Sequence, residues 1–491
     1  MILCIINHNF KYELEKLCRI FMPFSKITVQ SILSDRKPRA ETIIEDFGGF
    51  VVLKANLYLN GKVSSKQIKL EKNVADFDKE CERMLAVQLY DCFCEVTGVQ
   101  SQWGILTGVR PAKLFGRLKT ANGERYACEY FDKMLKVSKK KTDLCAFVSV
   151  SEENIISAST PNAFSLYISI PFCPSRCSYC SFVSHSVEQA GKLIPQYINL
   201  LCDEIVHTAK IAGQLNLKLM TVYFGGGTPT SLEAYQLEQI MSAVADNFDL
   251  SGVLEYTVEA GRPDTITKEK LAAIKQGGAT RISINPQTLN DDVLKSIGRK
   301  HTSQQFFEAF EMARKAGFDN INTDIIAGLP GDTPQSFEQT LDKIINLKPE
   351  SVTVHSLSMK RSSNMNTSGE VFDNFGMYAA QMVDSANVRL KDIGLLPYYM
   401  YRQSKTVGNL ENTGYSLPGY EGLYNVYIMD ETHTILSCGA SAVTKLRRPS
   451  GTDIERVFNF KYPYEYISRF NEIIERKEIV KEFYEKYGIV Y

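Results

Sequence analysis

The sequence predicts an α/β protein: a partial (β/α)6 barrel preceded by an α+β accessory domain and followed by a mostly helical one. Three observations predict it. Strand-like and helix-like segments alternate between Phe164 and Ser358, the pattern of a parallel sheet joined by helical crossovers. The alternation gives six βα units, too few to close a standard eight-stranded barrel. The 491 residues exceed one ordinary domain, roughly one per 150 residues implying two to four. We place the domains at 1–155, 156–375 and 376–491.

The six strands are read from runs rich in β-branched and aromatic residues. They are FSLYISI (164–170), LMTVYFGG (219–226), VLEYTVEA (253–260), RISINPQ (281–287), NINTDIIAGL (320–329) and SVTVHSLS (351–358). Between them lie helical patterns, SLEAYQLEQIMSAVADNF, TKEKLAAIKQGG, SQQFFEAFEMARKAG and SFEQTLDKIINLKP, several opening at Ser or Thr caps and closing near Gly or Pro. Parallel βα folds place their chemistry at the carboxyl ends of the strands, and the motifs below fall there.

Residues 1–155 mix helix and strand signals around the Gly/Pro-punctuated stretch GILTGVRPAKLFGRL (104–118). Beyond about 375 the chain opens with a helix-like stretch and ends in the charged, aromatic pattern YEYISRFNEIIERKEIVKEFYEKYG. No internal repeat or low-complexity segment interrupts it.

Composition narrows the function. The 56 basic and 56 acidic residues cancel, so no global field draws the chain to nucleic acid or an anionic membrane. The opening MILCIINHNFKYELEK has no basic region before its apolar stretch and no small-residue cleavage site, and reads as a buried strand and not a signal. No run of 18 apolar residues occurs, so no membrane span is expected, and the expected compartment is the cytoplasm. Most of the 12 cysteines are scattered among apolar residues, as at Cys18, Cys81 and Cys202, where a reduced buried thiol is the ordinary expectation.

Only IPFCPSRCSYCSF has ligand-like spacing. Cys173, Cys177 and Cys180 stand four and three residues apart in one loop, so their sulfurs can converge on one centre. Thiolates suit zinc or an iron–sulfur cluster; a structural zinc site normally takes four ligands, often in two separated pairs, and no second pair is evident. Three ligands leave one iron of a four-iron cluster open to a substrate or cofactor.

After the second strand comes GGGTP, Gly225 to Pro229, where backbone without side chains can approach a ligand closely. Glu259, Gln287, Arg299 and Asp324 then occupy later strand ends or the turns after them. A carboxylate there can orient an ammonium or a ribose, and a guanidinium can pair with a carboxylate.

The CxxxCxxC loop after a first barrel strand resembles the radical S-adenosylmethionine (SAM) superfamily. That resemblance implies a [4Fe–4S] cluster on Cys173, Cys177 and Cys180, its open iron chelating the amino and carboxyl groups of SAM. It places Tyr179 near the adenine and Gly226, Gly227 and Thr228 at the methionyl amino group. The stretches TVEAGRPDTIT, RISINPQTLNDDVLKSIGRKHT and INTDIIAGLPGDT resemble the subgroup that holds oxygen-independent coproporphyrinogen III dehydrogenase and its haem-chaperone relatives, over about 164–360. By motif position Glu259 then meets the methionyl part, Gln287 and Asp324 the ribose, and Arg299 the cofactor carboxylate, while Tyr167 matches a family tyrosine expected to be catalytic.

The resemblance further implies reductive cleavage of SAM to methionine and a 5′-deoxyadenosyl radical, with an electron donor such as flavodoxin or ferredoxin. The substrate would be a tetrapyrrole, each of two propionates losing hydrogen, carbon dioxide and one electron to become vinyl. Arg402, Lys405 and the run Tyr398–Tyr401 are candidates for its carboxylates and rings. Two positions depart from the dehydrogenase pattern: Phe182 stands where a further cysteine is found, and Ser169 where a histidine is. A haem-binding transfer protein and a radical enzyme on another substrate are the alternative readings.

Overall fold

A computed structural model describes residues 1–23, 25–180, 185–358, 369–403, 405–448, 451 and 453–487. The chain divides into two compact units, the first comprising Met1–Val150, Thr367–Met377 and Tyr401–Glu411, the second Ser151–Asn366, Tyr378–Met400 and Asn412–Tyr491.

The first unit is α+β. Its sheet runs in the order Thr28–Gln30, Ile2–Ile6, Arg39–Asp46, Phe50–Leu59, Lys62–Glu71, parallel around Ile2–Ile6 and antiparallel through the last three strands. Val51, Leu53, Ala55, Leu57 and Leu59 are buried while their neighbours are not, the period of two expected of a strand with one covered face; the helix Phe77–Thr97 packs there. Deeper in this unit Trp103 donates its indole N–H to Glu411 at 2.8 Å, and Lys141 pairs with the same carboxylate at 2.6 Å, so a buried charge is matched by a cation and a donor.

The second unit carries the six expected strands, at Ala163–Ile170, Lys218–Gly226, Glu255–Glu259, Arg281–Ser283, Ile321–Ala327 and Ser351–Ser356, each parallel to the next. Crossover helices include Ile194–Gln214, Ala234–Asn247, Lys268–Gln276, Ser303–Lys315 and Pro334–Leu347. Their starts are chemically fixed: Glu233 with Gln236 and Thr302 with Gln305 form reciprocal capping boxes, and Thr267 and Thr333 cap through their hydroxyls.

Two expectations are corrected. The fourth strand stops at Ser283 and does not run to 287. Asn285 accepts the Asp324 backbone N–H through its side chain at 3.2 Å, and Gln287, at φ 68°, rejoins the next strand only as an isolated bridge to Ile325. Nor do residues 376–491 form a separate, mostly helical domain. Thr434–Cys438 adds a seventh parallel strand beside Ala163–Ile170, Glu411–Ser416 pairs antiparallel with Ser351–Ser356, and Val443–Arg447 and Ile454–Phe458 extend the other edge. Both edges of a six-stranded open sheet present unpaired backbone groups, and these segments satisfy them.

Candidate cluster and cofactor site

The first strand ends at Ile170, and the chain passes through Pro171 into Phe172–Cys173, a short strand paired with His185–Ser186. The glycine turn after the second strand is laced to this exit. Gly227 donates its N–H to the Ile170 carbonyl at 2.7 Å and Thr228 to that of Phe172 at 2.8 Å. Glycine is required: a Cβ on Gly227 would lie 2.6 Å from the Phe172 carbonyl oxygen, and Gly226 sits at φ 106°. Thr228 completes the junction by donating its hydroxyl to the Cys173 sulfur at 3.4 Å.

Two buried arginines hold the rest of the loop. Arg262, in the turn after the third strand, donates to the Ser175 carbonyl and hydroxyl at 3.2 and 3.1 Å and to the Cys177 sulfur at 3.8 Å, while Asp264 accepts from its other edge at 3.2 Å. Arg299 donates to the Tyr179 hydroxyl at 3.2 Å and to the carbonyls of Gly261 and Asn285 at 2.9 and 2.8 Å. Ser178 N–H reaches the Ile297 carbonyl at 3.0 Å. The loop is thus tied to the ends of the second, third and fourth strands. Among the described residues no three Cys, His, Asp or Glu side chains are already gathered around one ion position, so the thiols share a loop, and binding a metal would draw their sulfurs together.

Beside the loop, side chains from successive strand ends face one another. Tyr167 and Tyr223 are paired across neighbouring strands, and Tyr424, from the helix Leu423–Asp430, stacks on Tyr223 with centroids 4.4 Å apart and on Tyr167 at 6.1 Å. Tyr223 donates its hydroxyl to Glu259 at 2.6 Å. Burial pushes the Glu259 carboxyl up to about 7 against the opposing effect of that hydrogen bond. Asp324 behaves oppositely: burial works against its charge, yet His355, 3.6 Å away, and the Asn322 amide at 2.7 Å hold it below its ordinary value.

Of the residues expected at the site, Cys173, Cys177, Cys180, Tyr179, Gly226, Gly227, Thr228 and Arg299 therefore meet around the loop. Tyr167 and Glu259 join through Tyr223, and Gln287 touches Asp324 through its backbone N–H at 3.0 Å. Arg402 is corrected: it is buried, donates to the carbonyls of Leu106, Gly108 and Asn409, and lies over Trp103 at 5.0 Å, so it satisfies backbone and is not a free cation for a substrate carboxylate. Lys405 is exposed, and Tyr398 is buried. Ser169 donates its hydroxyl to the Ala440 carbonyl at 2.8 Å, bound into the turn after the seventh strand; Phe182 lies outside the described residues. Sequence reasoning passed over Arg262, Tyr223, His355 and Tyr424. Arg262 had a signal, a cation three residues beyond Glu259 in the same strand-end turn, whereas Tyr424 is far away in sequence and had none.

A model of the radical SAM superfamily matches residues 167–344. The oxygen-independent coproporphyrinogen-III oxidase-like protein HemZ of Bacillus subtilis strain 168 is 38% identical over 401 residues, 79% of this chain and 79% of that protein. The chain belongs to the radical SAM superfamily. The heme chaperone HemW of the same organism is 40% identical over 197 residues, 39% of this chain and 50% of that protein. Among solved structures, the coproporphyrinogen III oxidase HemN of Escherichia coli is similar at 22% identity and a TM-score of 0.49, over 66% of this chain and 72% of that one. Radical SAM proteins use a [4Fe–4S] cluster and S-adenosylmethionine. The donors found here suit both groups, with three thiols in one loop, a hydroxyl and a guanidinium already directed at two of the sulfurs, and a glycine turn that any side chain would fill. Among the described residues no helix is long and apolar enough to cross a membrane.

Proposed function

We propose that this radical SAM protein is an oxidoreductase acting on a tetrapyrrole, converting two propionates of coproporphyrinogen III to vinyl groups without oxygen. The observation that carries the reading is the three-thiol loop, pinned by Thr228, Arg262 and Arg299, within a chain whose likeness to a coproporphyrinogen-III oxidase-like protein extends over 79% of both partners.

In this reading Cys173, Cys177 and Cys180 hold the cluster, and Gly226, Gly227, Thr228, Tyr179, Glu259, Gln287, Arg299 and Asp324 hold SAM; the bound pair supplies a hydrogen-abstracting radical. The chain's own work is placement. The glycine turn lets a ligand approach backbone, and Arg299 fixes Tyr179 as a wall for a flat ring. Tyr167 and Tyr223, backed by the buried Tyr424, offer aromatic surface to a tetrapyrrole, and the Glu259 carboxyl, protonated in part near neutrality, can both accept from Tyr223 and donate. Each propionate loses one hydrogen atom, carbon dioxide and one electron, the electron passing to an acceptor. A flavodoxin or ferredoxin is the proposed reductant.

A second reading, capture and delivery of haem, is favoured by the 40% identity to a heme chaperone over 197 residues. Anaerobic incubation of the reconstituted full chain with reductant, SAM and coproporphyrinogen III separates the two. Protoporphyrinogen formed together with 5′-deoxyadenosine, and lost in Cys177→Ala, supports the oxidoreductase. Cofactor cleavage without that product points to another substrate; no cleavage, with stoichiometric haem binding, supports the chaperone.

A further inference from the structure

We propose that Arg262 is a positioning residue that sets the reduction potential of the cluster by presenting a buried guanidinium to the sulfur of Cys177. Nothing in the thiol spacing requires an arginine here, and the loop has backbone anchors of its own at Ser178 and Cys180.

The geometry is specific. Arg262 is 3% exposed. One terminal nitrogen reaches both the Ser175 carbonyl at 3.2 Å and the Cys177 sulfur at 3.8 Å; the other reaches the Ser175 hydroxyl at 3.1 Å. Asp264 takes the Nε edge and supplies a counter-charge. Arg299, a second buried cation, closes the other end of the loop at Tyr179.

Reducing a cluster adds one negative charge to it. A positive group and an N–H donor at a ligand sulfur favour the reduced state, because hydrogen bonds to the sulfurs and local charge are among the terms that set cluster potentials. Burial preserves the effect, since water and salt screen a buried pair far less than an exposed one. Arg262 would therefore make the cluster easier to reduce, and Asp264 would temper it. Thr228, donating to the Cys173 sulfur, acts in the same direction but without charge.

The inference rests on the three-cysteine cluster of the proposed reading and not on its substrate. The test is an EPR-monitored redox titration of the reconstituted full chain without substrate, alongside iron and sulfide analysis. At the potential where half the wild-type cluster is reduced, Arg262→Gln is expected to show a reduced-to-oxidised ratio lower by about tenfold, equivalent to about 59 mV for one electron. Ser175→Ala, which removes a loop anchor but no donor to sulfur, is expected to titrate as the wild type does. An unchanged midpoint in Arg262→Gln with full iron content, or an equal shift in Ser175→Ala, overturns the assignment. Should Arg262→Gln load less iron, Asp264→Asn carries the test: it keeps the guanidinium and removes its counter-charge, so the potential must rise, and an unchanged or lower value overturns the proposal. Failure of the wild-type chain to take up any cluster would instead sink the reading of the site itself.

Discussion

Tyr223 donates its phenolic hydroxyl to Oε1 of Glu259 across 2.6 Å, joining the carboxyl ends of two neighbouring parallel strands. Burial raises the Glu259 carboxyl from 4.5 to about 7, so the folded chain holds a proton there that the unfolded chain releases at lower pH. Its contribution to stability is fully present below about 4.5 and is lost as pH rises through about 7. Glu259→Gln has no proton to lose. Thermal unfolding from pH 5 to 8 is expected to show the wild type losing more stability than Glu259→Gln over that range; parallel curves would refute the assignment.

Gly227 tests the junction of the first two strands. Its added Cβ would meet backbone, the carbonyls of Phe172 and Ile170 at 2.6 and 2.9 Å, and backbone cannot rotate aside as a side-chain tip does. Gly227→Ala is expected to cost about 1–3 kcal/mol in chemical denaturation and to weaken SAM binding, since the same turn would carry the cofactor. Gly213→Ala, with nothing within 4 Å of the added atom, is the control and should leave binding unchanged.

The C-terminal helices are fastened by charge to the crossover helix Ile194–Gln214. Lys477 pairs with the fully buried Glu204 at 2.9 Å, and Tyr466, Asn459 and the Gly439 N–H donate to the same carboxylate at 2.6, 2.7 and 2.8 Å. Removing one partner strands the other charge, so Lys477→Met is expected to destabilise by about 3–5 kcal/mol. The double variant Glu204→Gln with Lys477→Met should lose less than Lys477→Met alone. A denaturant double-mutant cycle reads this directly, and additive losses would contradict it.

These sites show what could be read from sequence. The six parallel strands were legible because each is a compact run of β-branched and aromatic residues bounded by turn formers, and the glycines and cysteines because their spacing is local. The seventh strand, Thr434–Cys438, was masked by the strong helical pattern after it; its place beside Ala163–Ile170 is decided by the edge it fills and not by its own five residues. Glu259 was legible as a strand-end carboxylate, but its raised proton affinity comes from burial, against the hydrogen bond from Tyr223, and only the fold assembles that burial. Arg402 misled for the opposite reason: a cation beside tyrosines reads as a binding residue until its donors are seen to end on Leu106, Gly108 and Asn409.

The most direct measurement is iron and sulfide content with EPR of the anaerobically reconstituted chain, with and without SAM, for the wild type and Cys177→Ala. The account predicts about four irons and four sulfides per wild-type chain, a reduced signal that changes shape when SAM is added, and loss of both in Cys177→Ala. A tightly bound tetrahedral zinc in place of iron, or a cluster that survives Cys177→Ala unchanged, would contradict it.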